Sequence, residues 1–364
     1  MEKIKLLCLF GGKSNEYEVS LMSAYSILTN IDREKYSVET VGITKAGDWY
    51  YYTGAPENIR DGSWCADTSA LEPAAISPSV SDSALLVFGP DGASCRRIHI
   101  DVIFPVMHGA FSEDGTLQGL LQISGIPFVG CKCATSAIAM DKGFTKMLLK
   151  TLGLPQARSI IVRAESIADN YPQIQAGCEN LSAYPLFVKP ANAGSSVGGS
   201  KVMNRDQLLP ALNKAAEYDS KIIVEEYIKG KECEVAVMGG KRFTASTVGQ
   251  IVPGSDFYDY ETKYSSGSPA TYNIPAAIKP ETAQNIQIYA KKICSILGVE
   301  GLARVDFFVR KNGGHEEIIF NEINTLPGFT EISMYPKLFM YDGMSYSEII
   351  DRLISLALGK DASV

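Results

Sequence analysis

Long apolar runs are missing from this chain of 364 residues. None approaches the roughly 18 residues that a transmembrane helix needs, and Gly11 and Gly12 interrupt the short apolar run at the N-terminus, unlike a signal peptide. Basic residues form no stripe and the net charge is -7, so the chain lacks the positive patch that binds nucleic acid. We therefore expect neither a membrane nor a nucleic acid as a partner.

Cysteine spacing gives no sign of a metal or disulfide framework. The eight cysteines are spread over the chain, and several lie in apolar runs where a free thiol behaves as a small hydrophobic group. Cys131 and Cys133 form a CxC pair, but no second Cys or His group follows at zinc spacing. Buried or loop thiols are the favoured interpretation, and they fit a protein of the reducing cytoplasm.

The first third of the chain has the pattern of an α/β domain. The apolar run IKLLCLF ends at Gly11-Gly12, as a buried parallel strand does, and Asn15 with Glu18 predicts the start of a helix. Two further strands are expected at 36–44 and 101–107, separated by a stretch rich in Gly, Ser and Pro. The pattern predicts a Rossmann-like domain over residues 1–130.

Beyond this domain, short strands alternate with single helices and Gly/Ser hairpins, which is typical of small α+β units. Residues 131–228 are predicted to form a central unit, and residues 229–364 a C-terminal one. In the latter, Pro280 and Gly298 bracket a predicted helix over 281–297, and a last helix is expected near 345–358.

Two apolar strands near the C-terminus carry the most informative polar residues. Arg304 and Asp306 share one strand face, and Glu322 and Asn324 share another, because side chains two apart project to the same side. Carboxylate and amide oxygens suit a hard cation such as Mg²⁺. A turn with two central residues between Lys311 and Gly314 would separate the faces, so we predict a loop of odd length centred near Gly314. Spacing alone leaves a solvated polar hairpin as the alternative.

Lys189 precedes the Gly/Ser-rich loop ANAGSSVGGS, whose N–H groups could surround phosphate oxygens. The loop lacks the GK[ST] ending of a P-loop, and a plain hairpin is the alternative. It also matches G-x-S-x-G with Ser196 as a nucleophile, but a strand is expected after it where that motif needs a helix. His99 and His315 are predicted at the surface, which further disfavours a hydrolase.

Two more segments are candidates for a binding site. The loop PGSDFYDYETKYSSG crowds aromatic and charged residues between turn signals, as a lid does, although an exposed Tyr-rich loop would read the same way. After the strand DVIFPV, His108 and Glu113 should reach the carboxyl edge of the first sheet, where ligands gather in α/β folds. A purely structural histidine is the alternative.

Together, these segments resemble the D-alanine:D-alanine ligase family of the ATP-grasp superfamily. The resemblance runs from the first strand to the C-terminal helix through seven motifs in the family's order: GGKSNEYEVSL, HGAFSEDGTLQGLL, MDKGFTK, VKPANAGSSVG, DFYDYETKY, ARVDFF and NEINTLPGFT. It implies a fold class of α/β and α+β, in which a Rossmann-like N-terminal domain precedes a two-domain ATP-grasp fold that clasps ATP.

The resemblance also implies roles for individual residues. Those expected to bind ATP are Lys142, Lys189, Ser195, Ser196, Val197, Glu225, Glu226, Ile228, Glu232 and Lys263. Those expected to coordinate two Mg²⁺ or Mn²⁺ ions are Asp306, Glu322 and Asn324. Those expected to bind the amino acids or act in catalysis are Glu16, His108, Ser195, Tyr264, Arg304, Gly328, Ser333 and Met334.

The implied reaction joins two D-alanines for peptidoglycan synthesis in two steps. The first carboxylate attacks the γ-phosphate of ATP, and the second amine then attacks the resulting acyl phosphate. Tyr264 and Met334 resemble the D-alanine type, and D-serine as the second substrate is the alternative. A nucleotide-binding regulator without catalysis is disfavoured, because it would not need the charges at Arg304, Asp306 and Glu322. The resemblance also implies a homodimer.

Overall fold

In the computed structural model, residues 2–194, 197–252 and 271–360 are described. Their regular elements build three sheets with flanking helices. The strands are β1 Ile4–Gly11, β2 Tyr36–Ile43, β3 Trp49–Tyr52, β4 Leu71–Ile76, β5 Ala84–Phe88, β6 Cys95–His99, β7 Val102–Val106, β8 Ser159–Arg163, β9 Leu186–Pro190, β10 Ser200–Val202, β11 Lys221–Glu226, β12 Lys231–Gly239, β13 Phe243–Ala245, β14 Gly249–Val252, β15 Thr271–Asn273, β16 Gly301–Asn312 and β17 His315–Asn324. The α-helices are α1 Tyr17–Asn30, α2 Pro56–Arg60, α3 Thr116–Ser124, α4 Cys133–Met140, α5 Lys142–Lys150, α6 Ile167–Leu181, α7 Leu208–Ala216, α8 Pro280–Leu297, α9 Met334–Tyr341 and α10 Tyr346–Ala357.

The first sheet has the order β6-β5-β4-β3-β2-β1-β7. Its β1 pairs in parallel with both β2 and β7, as the Rossmann-like prediction requires. The stretch expected to be mostly loop instead contains β3 to β6, which extend the sheet in antiparallel fashion. The predicted cap of α1 is wrong, because the helix begins at Tyr17 and Glu16 occupies the N-cap position.

The second sheet has the antiparallel order β10-β9-β11-β8 and packs against α6 and α7. Helix α6 was not expected from the sequence. Helix α6 contains Pro172, and Asn170 has non-helical torsion angles, so two helical segments meet there at a kink. Prolines inside a segment weaken the helical pattern, which explains why it was missed.

The third sheet runs β15-β14-β12-β16-β17, with β13 paired to β12. One of its faces shares a core with the first sheet and with α9 and α10, in which Ala236, Leu302 and Phe329 lie beside Phe104 and Tyr335. Its other face packs on α8 and on the segment around α4 and α5. Predicted domain boundaries at 131 and 229 stay a prediction, although Cys131 and Leu149 lie in this third-sheet core.

Among the described residues, none of the helices has both the length and the apolar composition that are needed to cross a membrane. The cysteines are all free thiols, as expected, and five of the eight are buried. Burial raises the pKa of Cys8 and Cys131 to about 12, so these thiols stay protonated and behave as packing groups.

The turn after β1 provides a test of backbone geometry. Gly11 has φ +84°, and a Cβ atom built on it would lie 2.1 Å from the carbonyl oxygen of Ile43. We expect Gly11→Ala to lower the free energy of unfolding by about 2 kcal/mol or more, because strain and a backbone clash add. Chemical denaturation measures this, with Gly240→Ala as the control, since nothing lies within 4 Å of its Cβ position. Equal stability of the two variants would contradict the assignment of strain.

Candidate functional site

Strands β16 and β17 form an antiparallel hairpin with four polar side chains on one face. Arg304 pairs with Asn324, and Asp306 pairs with Glu322. Residues two apart on each strand share a face, and directly paired residues share it across the ladder. The expected convergence of Asp306, Glu322 and Asn324 is therefore present.

The loop that was expected to produce this convergence is different. Asn312 pairs with His315, so the turn has only two central residues, Gly313 and Gly314, both with positive φ. The prediction of an odd-length loop is wrong. Register is shifted instead by a bulge between Asp306 and Phe307, which leaves one extra residue on β17 and restores the shared face.

Arg304 organises the carboxylates of this face. Its Nε and Nη2 donate hydrogen bonds to Asp306 Oδ1 and Oδ2 at 2.8 and 2.7 Å, and Nε lies 3.2 Å from Glu234 Oε2. Burial lowers the pKa of Arg304, but Asp306 and Glu234 outweigh this effect and hold that pKa well above its usual range. A permanently charged guanidinium thus lies among the oxygens expected to bind metal.

The donor set suits a cation that obtains part of its ligands elsewhere. Asp306, Glu322 and Asn324 supply hard oxygens, but the Asn324 Oδ1 also accepts a hydrogen bond from Leu326 N at 2.9 Å. Among the described residues, no group of three or more His, Cys, Asp or Glu side chains is arranged to hold a metal. Mg²⁺ fits such a site because it usually completes its shell with phosphate oxygens and water.

The predicted phosphate-binding Lys189 and a second lysine, Lys146, which was not predicted, enter the same cleft from different elements. Lys189, at the end of β9, lies 2.9 Å from Glu225 Oε2, and Lys146 of α5 lies 2.7 Å from Glu225 Oε1. Burial raises the pKa of the Glu225 carboxyl, but the two lysines outweigh it and lower the pKa to about 2. Glu225 is therefore ionised, and the buried lysines share its charge.

Lys142 joins the glycine-rich loop to the hairpin. It is the first residue of α5, and its Nζ donates a hydrogen bond to the Ala193 carbonyl oxygen at 2.8 Å. The same Nζ lies 3.4 Å from Glu322 Oε2. A cation at this position can approach both a phosphate held by the loop and the carboxylates of the hairpin.

A cavity between the second and third sheets collects most of the predicted ATP-binding residues. Its lining includes Lys142, Lys189, Val197, Glu225, Glu226, Ile228, Glu232, Arg304, Asp306 and Glu322. The Glu226 carboxylate also binds the Arg158 guanidinium, with Nη2 to Oε2 at 2.9 Å. Apolar walls come from Phe187 of β9 and Phe308 of β16. Neither was predicted from the sequence, because both resemble ordinary core residues.

A second cavity adjoins the first sheet and collects the predicted amino-acid-binding residues. Its lining includes Glu16, His108, Glu113, Gly328, Ser333 and Met334. Five residues line both cavities, namely Lys142, Glu234, Ile251, Arg304 and Glu322. The two cavities therefore meet at a wall that holds two cations and two carboxylates.

His108 is a buried wall of the second cavity. Its Nδ1 lies 2.9 Å from the Leu326 carbonyl oxygen, and its Nε2 lies 3.1 Å from Ser23 Oγ. Burial lowers the pKa of His108, against the smaller opposing effects of Glu16 and of the Leu326 carbonyl. Both ring nitrogens are engaged within the fold, as the alternative of a purely structural histidine expects, although the ring also lines the cavity.

Ser333 and Gly328 lie together at the other end of the second cavity. Ser333 is the N-cap residue of α9, and its Oγ lies 2.7 Å from Thr330 Oγ1. A Cβ atom on Gly328 would lie 2.8 Å from Ser333 Oγ. The glycine therefore leaves room for the serine hydroxyl at the cavity surface.

Four predicted site residues, Ser195, Ser196, Lys263 and Tyr264, lie outside the described residues. The neighbouring Gly194 is close to Glu16, because a Cβ atom on it would lie 2.7 Å from Glu16 Oε2. The loop is followed by strand β10, and His99 and His315 are exposed. These features do not support the nucleophile-elbow alternative.

Two antiparallel units with lysines and carboxylates around one cleft, preceded by a Rossmann-like unit, define the ATP-grasp class of enzymes. Family models described as the D-ala D-ala ligase N-terminus and C-terminus match residues 5–131 and 148–355. The chain therefore belongs to the D-alanine–D-alanine ligase family, as the sequence motifs predicted.

Individual relatives agree with this assignment. A D-alanine–D-alanine ligase of Ruminiclostridium cellulolyticum is 46% identical over 98% of this chain and 96% of the relative. One of Caldicellulosiruptor bescii is 45% identical over 99% and 97%. Among solved structures, the VanG D-Ala:D-Ser ligase of Enterococcus faecalis has a TM-score of 0.88 at 39% identity, covering 98% of this chain and 100% of that one. The D-alanine–D-alanine ligase of Coxiella burnetii has a TM-score of 0.82 at 31% identity, covering 99% and 95%.

Glu113 provides a pH-dependent test of the second cavity. It accepts a hydrogen bond from Gly109 N at 2.8 Å, and burial, followed by the nearby Glu16, raises its pKa to about 8. An acid whose folded pKa is raised loses stability as pH rises from its unfolded value towards the folded one. Between pH 5 and pH 8 we expect the wild type to lose about 3 kcal/mol of unfolding free energy relative to Glu113→Gln.

Urea denaturation at several pH values measures this difference. At pH 5 both side chains are neutral in the folded protein, so that measurement is the internal control for any change in packing. A difference between the two proteins that stays constant from pH 5 to pH 8 would show that Glu113 is already ionised at the lower pH.

Proposed function

We propose that this chain joins two D-alanine molecules into D-alanyl-D-alanine, at the expense of ATP, through an acyl phosphate that serves peptidoglycan synthesis. The observation that carries the proposal is the shared wall of the two cavities. A nucleotide phosphate from one side and a carboxylate from the other can meet there, beside Lys142 and Arg304. The D-alanine–D-alanine ligase names of the curated relatives support the choice of substrate.

ATP would bind between the second and third sheets. Lys142, Lys189 and the loop Ser195-Ser196-Val197 would hold the phosphates, with Lys263 added from the lid. Adenine would lie near the residues Glu225, Glu226 and Ile228, and the ribose near Glu232. Because the Glu225 carboxylate already neutralises Lys189 and Lys146, phosphate binding would draw on cations that are held in place before the nucleotide arrives.

Two Mg²⁺ or Mn²⁺ ions would be held by Asp306, Glu322 and Asn324, together with phosphate oxygens. When bound, they supply positive charge against the β- and γ-phosphates. For Asp306 to take this role, the hydrogen bonds between its oxygens and Arg304 must rearrange. The released guanidinium would then be able to face the transferring phosphoryl group.

In the first step, the carboxylate of the first D-alanine attacks the γ-phosphate, and ADP leaves. Two anions must approach each other, so Arg304 and Lys142 reduce the barrier by neutralising the charge between them. Glu16 would receive the substrate ammonium, and the neutral His108 ring would form the adjacent wall. Burial at this wall restricts water, which would otherwise hydrolyse the acyl phosphate.

In the second step, the amine of the second D-alanine attacks the acyl phosphate carbonyl, and phosphate leaves. Arg304 and the Gly328 N–H would stabilise the oxyanion of the tetrahedral intermediate. Ser333 would bind the carboxylate of the second substrate, and Met334 would contact its methyl group. Tyr264 and Ser195 would connect to Glu16 when the lid closes, a role consistent with the position of Gly194 beside Glu16.

We also propose that the enzyme acts in the cytoplasm as a homodimer, with neither membrane nor nucleic acid as a partner. The division into units at 1–130, 131–228 and 229–364 belongs to the same proposal.

A substrate panel tests the reaction. With ATP and Mg²⁺, purified enzyme should release phosphate with D-alanine alone, and D-alanyl-D-alanine should form in equal amount. Addition of D-serine or D-lactate should not raise the rate of phosphate release, since the buried Met334 side chain offers an apolar contact suited to a methyl group. Turnover that requires D-serine would replace the proposed second substrate, and nucleotide binding without turnover would favour a regulator.

The metal assignment has its own test. Glu322→Gln removes one charge from the hairpin face, and we expect kcat to fall about 100-fold, comparable with loss of one electrostatic contact to a transition state. Glu317→Gln is the matched control, because Glu317 lies on the same strand and pairs with Arg310 away from the cleft. Steady-state kinetics across a Mg²⁺ titration measures both variants. Full activity of Glu322→Gln would reject the metal role.

A further inference from the structure

A buried ion pair lies behind the nucleotide cleft, at a position to which the proposed reaction assigns no role. Asp141 immediately precedes α5, and Lys221 is the first residue of β11. The Lys221 ammonium donates a hydrogen bond to Asp141 Oδ2, and both side chains are more than 90% buried. A buried pair of this kind adds little net stability but is costly to break on one side only.

The pair belongs to a network that reaches Lys142. Asp141 Oδ1 accepts a hydrogen bond from Phe144 N at 3.0 Å, which caps the first turn of α5. Lys142 N donates to the Ala191 carbonyl oxygen at 3.1 Å, and Ala191 N donates to the Lys221 carbonyl oxygen at 2.9 Å. Helix α5, the strand β11 and the start of the glycine-rich loop are therefore joined through Lys221.

Lys221 is held in place from several sides. Its ammonium lies 3.6 Å from the centre of the Phe144 ring, a cation–π contact. Its backbone N donates to Asp219 Oδ1 at 3.0 Å, and Asp219 Oδ2 accepts from Asn192 N at 2.9 Å. Residues 191–194, which lead to the predicted phosphate loop, are thus anchored to the same strand end as α5.

A second ion pair of reversed polarity fixes the other end of the contact. Lys146 of α5 pairs with Glu225 of β11 at 2.7 Å, four residues along the strand from Lys221. Asp141 precedes Lys146 along the chain of α5, whereas the basic Lys221 precedes the acidic Glu225 along β11. If α5 slid along β11, residues of like charge would therefore face each other. The two ion pairs therefore fix the position and the direction of α5 relative to β11.

We propose that the Asp141–Lys221 ion pair positions Lys142 and the loop at 191–194 for the phosphates of the nucleotide. This inference rests on the proposed function, because it takes Lys142 as a phosphate ligand. Asp141 and Lys221 are positioning residues, and neither needs to touch the substrate.

The decisive variant replaces both members of the pair, Asp141→Asn with Lys221→Met. It removes both charges together, so no buried charge is left alone, and Asn keeps the helix cap. We expect thermal unfolding close to that of the wild type. We expect the KM for ATP to rise about tenfold or more, because small displacements of a binding group are costly.

Binding of ADP and of adenosine distinguishes positioning from a general structural role. Calorimetry should show weaker ADP binding to the double variant and unchanged adenosine binding, since only the phosphates meet Lys142. The single variant Lys221→Arg, which keeps the charge opposite Asp141, should retain most of the ADP affinity of the wild type. The control Lys214→Met, at an exposed lysine of α7, should leave every value unchanged.

Each result has a defined meaning. ADP affinity within twofold of the wild type in the double variant, or an equal loss for ADP and adenosine, would overturn the inference. If the single variant Lys221→Met fails to fold, the charge-free double variant still decides. Failure of the wild type to ligate D-alanine would reject the proposed function, whereas the ADP and adenosine measurements, which need no turnover, would still test the ion pair.

Discussion

Pairing of buried cations with carboxylates is the constraint on which the cleft depends. A site for a triphosphate must gather positive charge, yet burial of an unpaired ammonium is expensive. Here Glu225 lies between Lys146 and Lys189, and Arg304 lies between Asp306 and Glu234. Each cation has a carboxylate partner without ligand, and the elements that carry these groups are fixed relative to one another.

Charge pairing of this kind also prepares the cleft for its ligand. A phosphate that enters replaces a carboxylate as the partner of a lysine or arginine, so charge is exchanged and no new cation must be desolvated. At Arg304, metal binding would drive this exchange, because the two Asp306 oxygens that accept hydrogen bonds from the guanidinium are the oxygens proposed to bind metal. Metal binding at Asp306 and release of Arg304 towards the phosphoryl group are then two parts of one rearrangement.

How far the sequence predicts this site depends on the range of the interaction involved. Strand periodicity alone placed Asp306 beside Arg304 and Glu322 beside Asn324, because alternation is a local property of the chain. The bulge that aligns the two strands was missed, since it is a local defect whose position depends on packing across the sheet. Lys146 was missed for a related reason. A lysine within a helical pattern reads as solvent-exposed, and only the tertiary contact with Glu225 makes it a buried member of the cleft.

The two cavities differ in what surrounds them, and the difference fits their proposed contents. The amino-acid cavity is backed by a continuous apolar core that unites the first and third sheets, so the residues near His108 and Ser333 have a rigid support. The nucleotide cavity spans the second and third sheets, where the shared apolar cluster is small, with Ala157, Ile228 and Ile319 at its centre. Interfaces joined by few apolar contacts rearrange more easily than a common core. The second sheet therefore has the weaker apolar connection to the third sheet, whereas the amino-acid cavity is supported by a common core. Helix α5 carries Lys142, the proposed phosphate ligand, between the two cavities. Because α5 is held to β11 by two ion pairs and to the third-sheet core by Leu149, Lys142 stays at the junction of both cavities.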